Sequence, residues 1–519
     1  MLIVKRITDR AAPSGAARNI IVCLCDQLRA FEVGCYGNDI IRTPNIDRLA
    51  AESVRFETAV SSNPVCMAAR SALMSGQHSR TCNGHLANDF VPTEGERWSM
   101  LEPEFPERAR GAHLQATTLP EVLRAAGYES TVIGKWHIRP CPESIGFDHS
   151  VLPLTNHRHS KQQFMIDGAA PVAVEGFSVE REIERVEGFF ADRSAEDAAS
   201  RDPFFLYYSM MPPHMPLGDM PEKYLNMYAP EDIPLRPNVA PDGRLPASDD
   251  WFKIYLWDYV YYHYFEPHTL KLPIDFDVRA LTALYYGAVT WVDDMLGRML
   301  QSLEANGLAD DTIVIFTSDH GDTLGSHQRW NKGVLLQESI RVPMLCRLPG
   351  HWAPAVNCDQ VASTIDIMPT ILDACGLAQQ GHLQGQSLLP ILAGECTGLD
   401  RNWSFIETSG SSSGKGLTEI GIRTPSHLYG MCLDADSHRL VDADSHRLVD
   451  ADCCFYDLEN DPYEFDNIVG TGRAPDIEAE LKKRLLHWHE HTPWLDDPDC
   501  GPDRRHLFDK NGMPLAGHS

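Results

Sequence analysis

Short apolar runs alternate with amphipathic segments along the first three quarters of the chain. The run NIIVCLCDQ (19–27) is apolar until its polar end, which is typical of a strand buried in a parallel sheet. DPFFLYYSM (202–210) and TIVIFTSDHGD (312–322) follow the same pattern, and 130–133 predict a further strand. Because helical segments separate these strands, the pattern indicates an α/β domain with a mostly parallel sheet flanked by helices.

Apolar residues at helical spacing occupy the segments between the strands. In TPNIDRLAAESVRF (43–56) one helical face carries Ile46, Leu49, Ala50 and Val54. Further helices are predicted over 118–127, 281–307 and 476–491. Pro120 near the start of the first of these and Gly127 at its end are typical helix boundary residues.

The sequence pattern changes near residue 390, where short predicted strands and Gly/Ser-rich turns begin. We therefore predict a catalytic α/β domain over 1–395 and a smaller α+β domain over 396–519, with a short antiparallel sheet and a terminal helix. The second region contains a tandem repeat, DADSHRLV, starting at Asp434 and at Asp442. A lengthened hairpin is favoured over a metal-binding loop, because the repeat lacks the Gly and terminal Glu of an EF-hand.

Polar residues close the predicted strands at their carboxyl ends, where open α/β sheets bind their ligands. These strand-end residues are Asp26, Lys135, His137, His214, Asp319 and His320. Four strand ends are therefore expected to meet at one site.

Charge and composition narrow the classes of function. The 519 residues include 45 Lys+Arg and 73 Asp+Glu, which gives a formal charge of −28 and argues against a nucleic-acid or anionic-membrane binder. Charged residues interrupt the N-terminal segment where a signal peptide needs an apolar core, and no apolar run reaches the roughly 18–20 residues of a membrane span. We expect a cytoplasmic protein whose fourteen cysteines are mostly reduced.

A lone thiol lies in the segment NPVCMAARSALMSG (63–76). Taken alone, Cys66 could be a nucleophile, a metal ligand or a small buried apolar residue. Arg70 follows four residues later, so a helix beginning here would bring both side chains to one face. Arginine and the helix N-terminus would together stabilise an anion near residue 66.

The pair Asp319–His320 offers an oxygen and a nitrogen ligand for a divalent cation. Asp26 and Gln27 occupy a matching position after the first strand. The mixed oxygen and nitrogen set suits Ca²⁺, Mg²⁺ or Mn²⁺, and the histidine favours Mn²⁺ over Ca²⁺.

Several motifs, taken in order, resemble one family. CMAARSALMSG resembles the signature of the formylglycine-dependent sulfatases, written Cys-x-Pro-Ser-Arg followed by Leu-Thr-Gly. DQLRAFEVGCYGNDIIRTPNIDRLAAESVRF, GKWHI, FTSDHGDTLGSH with its NKG, and FYDLENDPYEFDN resemble further family segments. The resemblance runs from about residue 19 to residue 467. It implies the alkaline phosphatase superfamily, and the combination of Gln27 with Asp319–His320 also resembles the phosphonate monoester hydrolases.

The resemblance implies a role for each residue of the site. Cys66 would be oxidised to formylglycine, whose hydrated aldehyde attacks sulfur or phosphorus. Arg70 would hold this nucleophile, and Lys135 and Lys332 would bind the non-bridging oxygens of the substrate. His137 would assist collapse of the covalent ester and His214 would protonate the leaving oxygen. The implied metal ligands are Asp26, Gln27, Asp319 and His320, and His327 is a further pocket candidate without an assigned role.

We therefore expect an arylsulfatase-like hydrolase of small sulfate monoesters, with formylglycine and one divalent metal, Ca²⁺ or Mn²⁺. The alternatives are a phosphonate monoester or phosphodiester hydrolase with the same site, and a non-catalytic oxyanion-binding protein. We expect a formylglycine-generating maturation enzyme as a partner, although in this chain Ala68 replaces the proline of the sequence that such enzymes usually recognise. The aromatic run WFKIYLWDYVYYHYF (251–265) suggests a homo-oligomer, a dimer or tetramer.

Overall fold

The computed structural model describes residues 19–83, 86, 114, 116–138, 140–154, 158–197, 201–240, 277–408, 418–433, 454–492 and 495. The DADSHRLV repeat and the aromatic run 251–265 lie outside these residues. Within them, every helix is too short or too polar to cross a membrane.

The larger sheet is mixed and mostly parallel. Its strands are β1 (Asn19–Asp26), β2 (Val54–Val60), β3 (Glu129–Gly134), β4 (His149–Pro153), β5 (Gln163–Ile166), β6 (Val172–Ala173), β7 (Phe204–Pro213), β8 (Thr312–Ser318), β9 (Arg341–Val342), β10 (Met344–Arg347) and β11 (Ala355–Ser363). Their order is β11-β2-β10-β8-β1-β7-β3-β4-β5-β6, with β9 paired to β2. The central strands β8, β1, β7 and β3 are all parallel, whereas β10 runs antiparallel to both of its neighbours.

Helices cover both faces of this sheet. The helices of the larger region are α1 (Pro44–Ala51), α2 (Cys66–Ser75), α3 (Ser79–Cys82), α4 (Leu119–Ala125), α5 (Ser178–Ala195), α6 (Glu222–Leu225), α7 (Val278–Ala305), α8 (Gln337–Ile340), α9 (Ile367–Ala374) and α10 (Leu389–Leu392), and α11 (Pro475–His491) follows in the C-terminal region. Along β1, Ile20, Val22 and Leu24 face one apolar core and Ile21, Cys23 and Cys25 face the other. The predicted α/β class, with its parallel sheet between helices, is confirmed.

One predicted helix is too long. The segment 43–56 is helical only in α1, and Val54 begins strand β2. Val54 and Phe56 are buried while Arg55 and Glu57 are half-buried, so this part of the segment alternates with the period of a strand. The β-branched Val54 also fits a strand better than a helix end.

A second, antiparallel sheet lies in the C-terminal region. It contains β12 (Ser404–Thr408), β13 (Thr418–Arg423), β14 (His427–Leu433) and β15 (Cys454–Asp457), in that order, and α11 packs on β13 and β14. A buried ion pair joins Arg80 of the larger region to Glu407 of β12, with Nε and Oε2 2.5 Å apart. The predicted antiparallel sheet and terminal helix are present, and the domain boundary at 395 stays a prediction.

Candidate active site

The carboxyl ends of four adjacent parallel strands meet at one point. Asp26 ends β1, Asp319 follows β8, Lys135 follows β3 and His214 follows β7. Since parallel strands carry all their carboxyl ends to the same edge, residues distant in sequence come into contact there. The Lys135 Nζ atom is 2.7 Å from Asp26 Oδ2, and the His214 Nε2 atom is 3.9 Å from Asp26 Oδ1.

Cys66 is the first residue of α2 and is fully buried. Its Sγ atom is 2.8 Å from Lys332 Nζ, 3.1 Å from His320 Nε2 and 3.6 Å from Asp26 Oδ1. The expected helix begins at this residue, so the positive end of the helix dipole also faces the thiol. The thiol therefore lies among strand-end residues rather than in an apolar core.

Arg70 lies one turn further along α2 and is completely buried. Its guanidinium donates through Nε to Asp319 Oδ2 at 2.8 Å and through Nη2 to Asp26 Oδ2 at 3.0 Å. It also donates through Nη1 to Ser209 Oγ at 2.7 Å and to the Lys135 carbonyl oxygen at 3.1 Å. Although burial opposes its charge, Asp319 and Asp26 help to raise the pKa of Arg70 above its ordinary value. The guanidinium thus fixes both carboxylates.

Lys135 and Lys332 are both buried, so neither is a solvated surface lysine. Lys332 Nζ donates to Gln27 Oε1 at 3.0 Å as well as to the Cys66 sulfur. Burial opposes the charge of Lys332, but Cys66 and Asp26 raise the pKa of this ammonium overall. A cation is therefore held beside residue 66.

The residues fit a divalent metal. Asp26, Cys66, Asp319 and His320 each offer one ligand atom, and these atoms lie within 4.8 Å of one another. His320 Nδ1 is 2.9 Å from the Gly321 carbonyl oxygen, which as a hydrogen bond would fix the proton on Nδ1 and leave Nε2 free to bind a metal. Burial lowers the pKa of His320 to about 4, so the imidazole is neutral, as a metal ligand must be.

The pKa values of Asp26 and Asp319 shift in opposite directions. Burial opposes ionisation of Asp26, but Lys135, His214, Arg70 and Lys332 together hold its pKa well below the usual range. Burial and the neighbouring Asp26 raise the pKa of Asp319. Two carboxylates are thus matched by three cations, Arg70, Lys135 and Lys332, which leaves a local excess of positive charge for an anionic ligand.

The remaining predicted histidines differ in position. His137 is buried two residues beyond Lys135, with its backbone in the left-handed region at φ 48°. Among the described contacts of His327, none is with Cys66 or with the side chains that surround its sulfur. Its Nε2 atom is 2.9 Å from the Tyr463 carbonyl oxygen, and its ring lies 6.2 Å from that of Phe465. The roles of both histidines stay predictions.

The sequence reasoning missed three contacting residues. Asp322 and Asn331 accept hydrogen bonds from the Gln27 amide, and Ser209 of β7 accepts one from Arg70. A signal for Asp322 was available, since it stands in the same SDHGD run as Asp319 and His320. Asn331 lies in a loop, with its backbone at φ 69°. No periodicity of apolar residues predicts the path of that loop.

Comparison with known proteins identifies the family. The model of the Sulfatase family matches residues 18–377, and that of the N-sulphoglucosamine sulphohydrolase C-terminal region matches residues 325–491. The chain belongs to the sulfatase family, and it is a hydrolase of sulfuric esters.

Relatives match along most of the chain. The Ulvan-active sulfatase of Formosa agariphila is 26% identical over 93% of this chain and 82% of its own length. The arylsulfatase of Clostridium perfringens is 27% identical over 90% of this chain and 93% of its own. The solved structure of BT4656 in complex with D-Glucosamine-2-N, 6-O-disulfate superposes with a TM-score of 0.71 at 22% identity, covering 94% of this chain and 100% of that one. The phosphonate monoester hydrolase of Agrobacterium radiobacter has a TM-score of 0.66 at 23% identity, covering 92% and 96%. These structures share the alkaline-phosphatase-like fold.

Proposed function

We propose that the chain hydrolyses small sulfate monoesters with a formylglycine nucleophile made from Cys66 and one divalent metal. The observation that carries this proposal is the position of the Cys66 sulfur, within 3.6 Å of Lys332 Nζ, His320 Nε2 and Asp26 Oδ1. A group at this position is surrounded by the charges that a sulfate ester needs, and the formylglycine would supply the attacking oxygen there.

The cations bind and orient the substrate. Lys135 and Lys332 hold the non-bridging oxygens of the sulfate group, on which negative charge grows during the reaction. Arg70 fixes the positions of both carboxylates relative to residue 66, because it is bound to Asp26 and Asp319 at once. These preorganised charges favour the transition state in a buried site where the dielectric response is weak.

Two histidines handle protons. His214 Nδ1 is 2.8 Å from the Met215 carbonyl oxygen, so the ring is oriented with Nε2 toward Asp26. His214 protonates the leaving oxygen as a general acid. His137 assists release of the bound sulfate from residue 66.

Asp26, Gln27, Asp319 and His320 hold the divalent metal, which is Ca²⁺ or Mn²⁺. When bound, the metal polarises the oxygens of the nucleophile and of the sulfate group. Three of its four ligands donate oxygen, as a hard cation prefers, and the single imidazole favours Mn²⁺.

A phosphonate monoester or phosphodiester hydrolase is the second candidate. The observation in its favour is Gln27, a neutral amide whose Oε1 accepts from Lys332 and which adds no negative charge to the site. A phosphonate monoester or a phosphodiester carries one negative charge on its tetrahedral group, as a sulfate monoester does, so the same cations can bind either reacting group. Rates on an aryl sulfate and on a phenyl phosphonate monoester rank the two candidates, and a large preference for the phosphonate would reverse our choice.

The decisive experiment follows the modification of Cys66. The full chain is produced with and without a formylglycine-generating maturation enzyme, and the tryptic peptide 56–70 is weighed in each sample. We expect aldehyde or its hydrate at residue 66 together with metal-dependent aryl sulfatase activity. Cys66→Ala removes that activity, whereas Cys358→Ser, which replaces an exposed thiol, leaves it unchanged.

Two outcomes would contradict the proposal. A fully converted chain without turnover on any sulfate or phosphonate ester would favour a non-catalytic oxyanion-binding protein. Full activity in a sample that contains only free cysteine would show that formylglycine is not the nucleophile. The substrate panel includes sulfated sugars, because several relatives are named for them, and light scattering tests the proposed homo-oligomer.

A further inference from the structure

The unmodified thiol completes a second kind of metal site. Cys66 Sγ is 3.1 Å from His320 Nε2 and 3.6 Å from Asp26 Oδ1, while His320 Nε2 is 3.7 Å from Asp26 Oδ1 and 3.5 Å from Asp319 Oδ1. All four ligand atoms lie within 4.8 Å of one another and are buried. We propose that the chain carrying Cys66 as a thiol binds Zn²⁺ through these four side chains.

The spacing of the four atoms fits tetrahedral zinc. Zinc bonds of about 2.0 to 2.3 Å require ligand atoms separated by roughly 3.3 to 3.8 Å in a tetrahedron. Three of the four measured separations fall in this range, and the fourth is shorter by about 0.2 Å. Ca²⁺ and Mg²⁺ instead take six or more oxygen ligands, so they have no use for the sulfur.

The surrounding hydrogen bonds orient the ligands. Arg70 donates to Oδ2 of Asp26 and to Oδ2 of Asp319, and Lys135 also contacts Oδ2 of Asp26. The Oδ1 atoms are therefore the ones turned toward the sulfur and His320. Asp319 Oδ1 is held in place by the backbone N–H groups of Gln27 and His320. Such outer contacts are what a preformed metal site requires.

The proposed binding step exchanges a proton on sulfur for the metal. On binding, the Cys66 S–H bond is lost, its proton passes to solvent and a Zn–S bond forms, with no change of oxidation state. Conversion of Cys66 to formylglycine removes the sulfur, so the mature site would favour a harder cation with Gln27 as ligand.

The test uses full-length protein made without a maturation enzyme, with the free thiol verified by mass. Zn²⁺ is titrated in competition with a chromophoric chelator into wild type, Cys66→Ser and Cys358→Ser. We expect one tight site in wild type, a loss of affinity of at least about a hundredfold in Cys66→Ser, and no change in Cys358→Ser. Circular dichroism establishes that each variant is folded.

A second measurement needs no variant. Co²⁺ substituted into wild type should give the intense near-ultraviolet absorption of a thiolate–cobalt bond and the visible bands of a tetrahedral centre. Equal Zn²⁺ affinity in wild type and Cys66→Ser, or a Co²⁺ spectrum without thiolate absorption, would overturn the proposal. The outcome is independent of the proposed sulfatase chemistry, because no formylglycine is present and no turnover is measured.

Discussion

The side-chain amide of Gln27 donates a hydrogen bond to the carboxylate of Asp322. The same nitrogen lies 3.3 Å from Asn331 Oδ1, so two acceptors face the Gln27 NH₂ group. Its Oε1 must then point to Lys332 Nζ, 3.0 Å away, on the side of the candidate metal site. An amide group can turn over so that its oxygen and nitrogen exchange places, whereas both oxygens of a carboxylate accept hydrogen bonds. Asp322 therefore fixes the orientation of the Gln27 amide.

This contact predicts a charge-balanced pair of substitutions. Gln27→Glu, which keeps the length of the side chain, places two buried carboxylates in contact, and we expect metal affinity to fall about tenfold to a hundredfold. Asp322→Asn removes the preference for one amide orientation and should weaken metal binding less. Combining Gln27→Glu with Asp322→Asn restores one negative charge and a donor–acceptor contact. Isothermal titration of the metal is the measurement, and a double variant weaker than both single variants would contradict this reasoning.

Replacing Arg70 should cost both stability and activity. Arg70→Met leaves Asp26 and Asp319 buried without their guanidinium, a loss of about 3–5 kcal/mol in the free energy of unfolding. Arg70→Lys keeps the charge but cannot reach both carboxylates at once, so we expect an intermediate stability and at least a tenfold loss of turnover, on the order of a lost charged hydrogen bond. Urea unfolding and aryl sulfate hydrolysis measure the two effects.

The control for Arg70 is Arg124→Lys, a change at a half-exposed arginine 3.8 Å from Asp148. Its unfolding free energy should stay within about 0.5 kcal/mol of wild type. If Arg70→Met proved equally harmless, Asp26 and Asp319 would not depend on Arg70.

The Arg80–Glu407 pair should govern attachment of the C-terminal sheet. Both side chains are fully buried, and the Arg80 guanidinium also lies 4.3 Å over the Trp488 ring. Glu407→Gln removes the buried carboxylate charge that lies 2.5 Å from Arg80 Nε, and we expect a loss of about 3–5 kcal/mol in the free energy of unfolding. Limited proteolysis should then release the C-terminal region first. The exposed pair Arg484–Glu480 is the matched control, and Glu480→Gln should leave the stability nearly unchanged.

Glu182 on α5 predicts a pH dependence of stability. Burial raises the pKa of its carboxyl from an ordinary 4.5 to about 8, although the Ser178 hydroxyl lowers it. Between these two values the unfolded chain has released the proton and the folded chain keeps it, so this group makes stability fall by about 1.4 kcal/mol for each unit of rising pH.

Glu182→Gln removes that slope. Urea unfolding at about pH 5.5 and about pH 7.5 should show the variant gaining roughly 2–3 kcal/mol on wild type over this interval. Glu184→Gln, at a half-exposed position of the same helix, should follow the wild-type curve. Parallel curves for wild type and Glu182→Gln would show that the carboxyl ionises in the folded chain.

The sequence predicted the elements of the site better than the contacts around it. Asp26 and Asp319 close apolar strands, and the sheet rule alone brings such residues to one edge. Contacts made by loops followed no such rule. Between residues 324 and 331 the backbone of Leu324, His327, Gln328 and Asn331 is left-handed, which returns Asn331 to Gln27 and turns His327 toward Tyr463. Neither apolar periodicity nor propensity encodes those turns.

The depth of Cys66 has a consequence for how the protein is made. The side chain has no exposed surface and lies under the side chains of Lys332 and His320. The proposed maturation enzyme would therefore have to reach this sulfur before residues 319–332 dock on it. Those residues follow some 250 positions later in the chain, so the time available for the proposed conversion is the interval between synthesis of residue 66 and that docking. On this proposal, faster translation or faster folding would leave more molecules permanently unconverted.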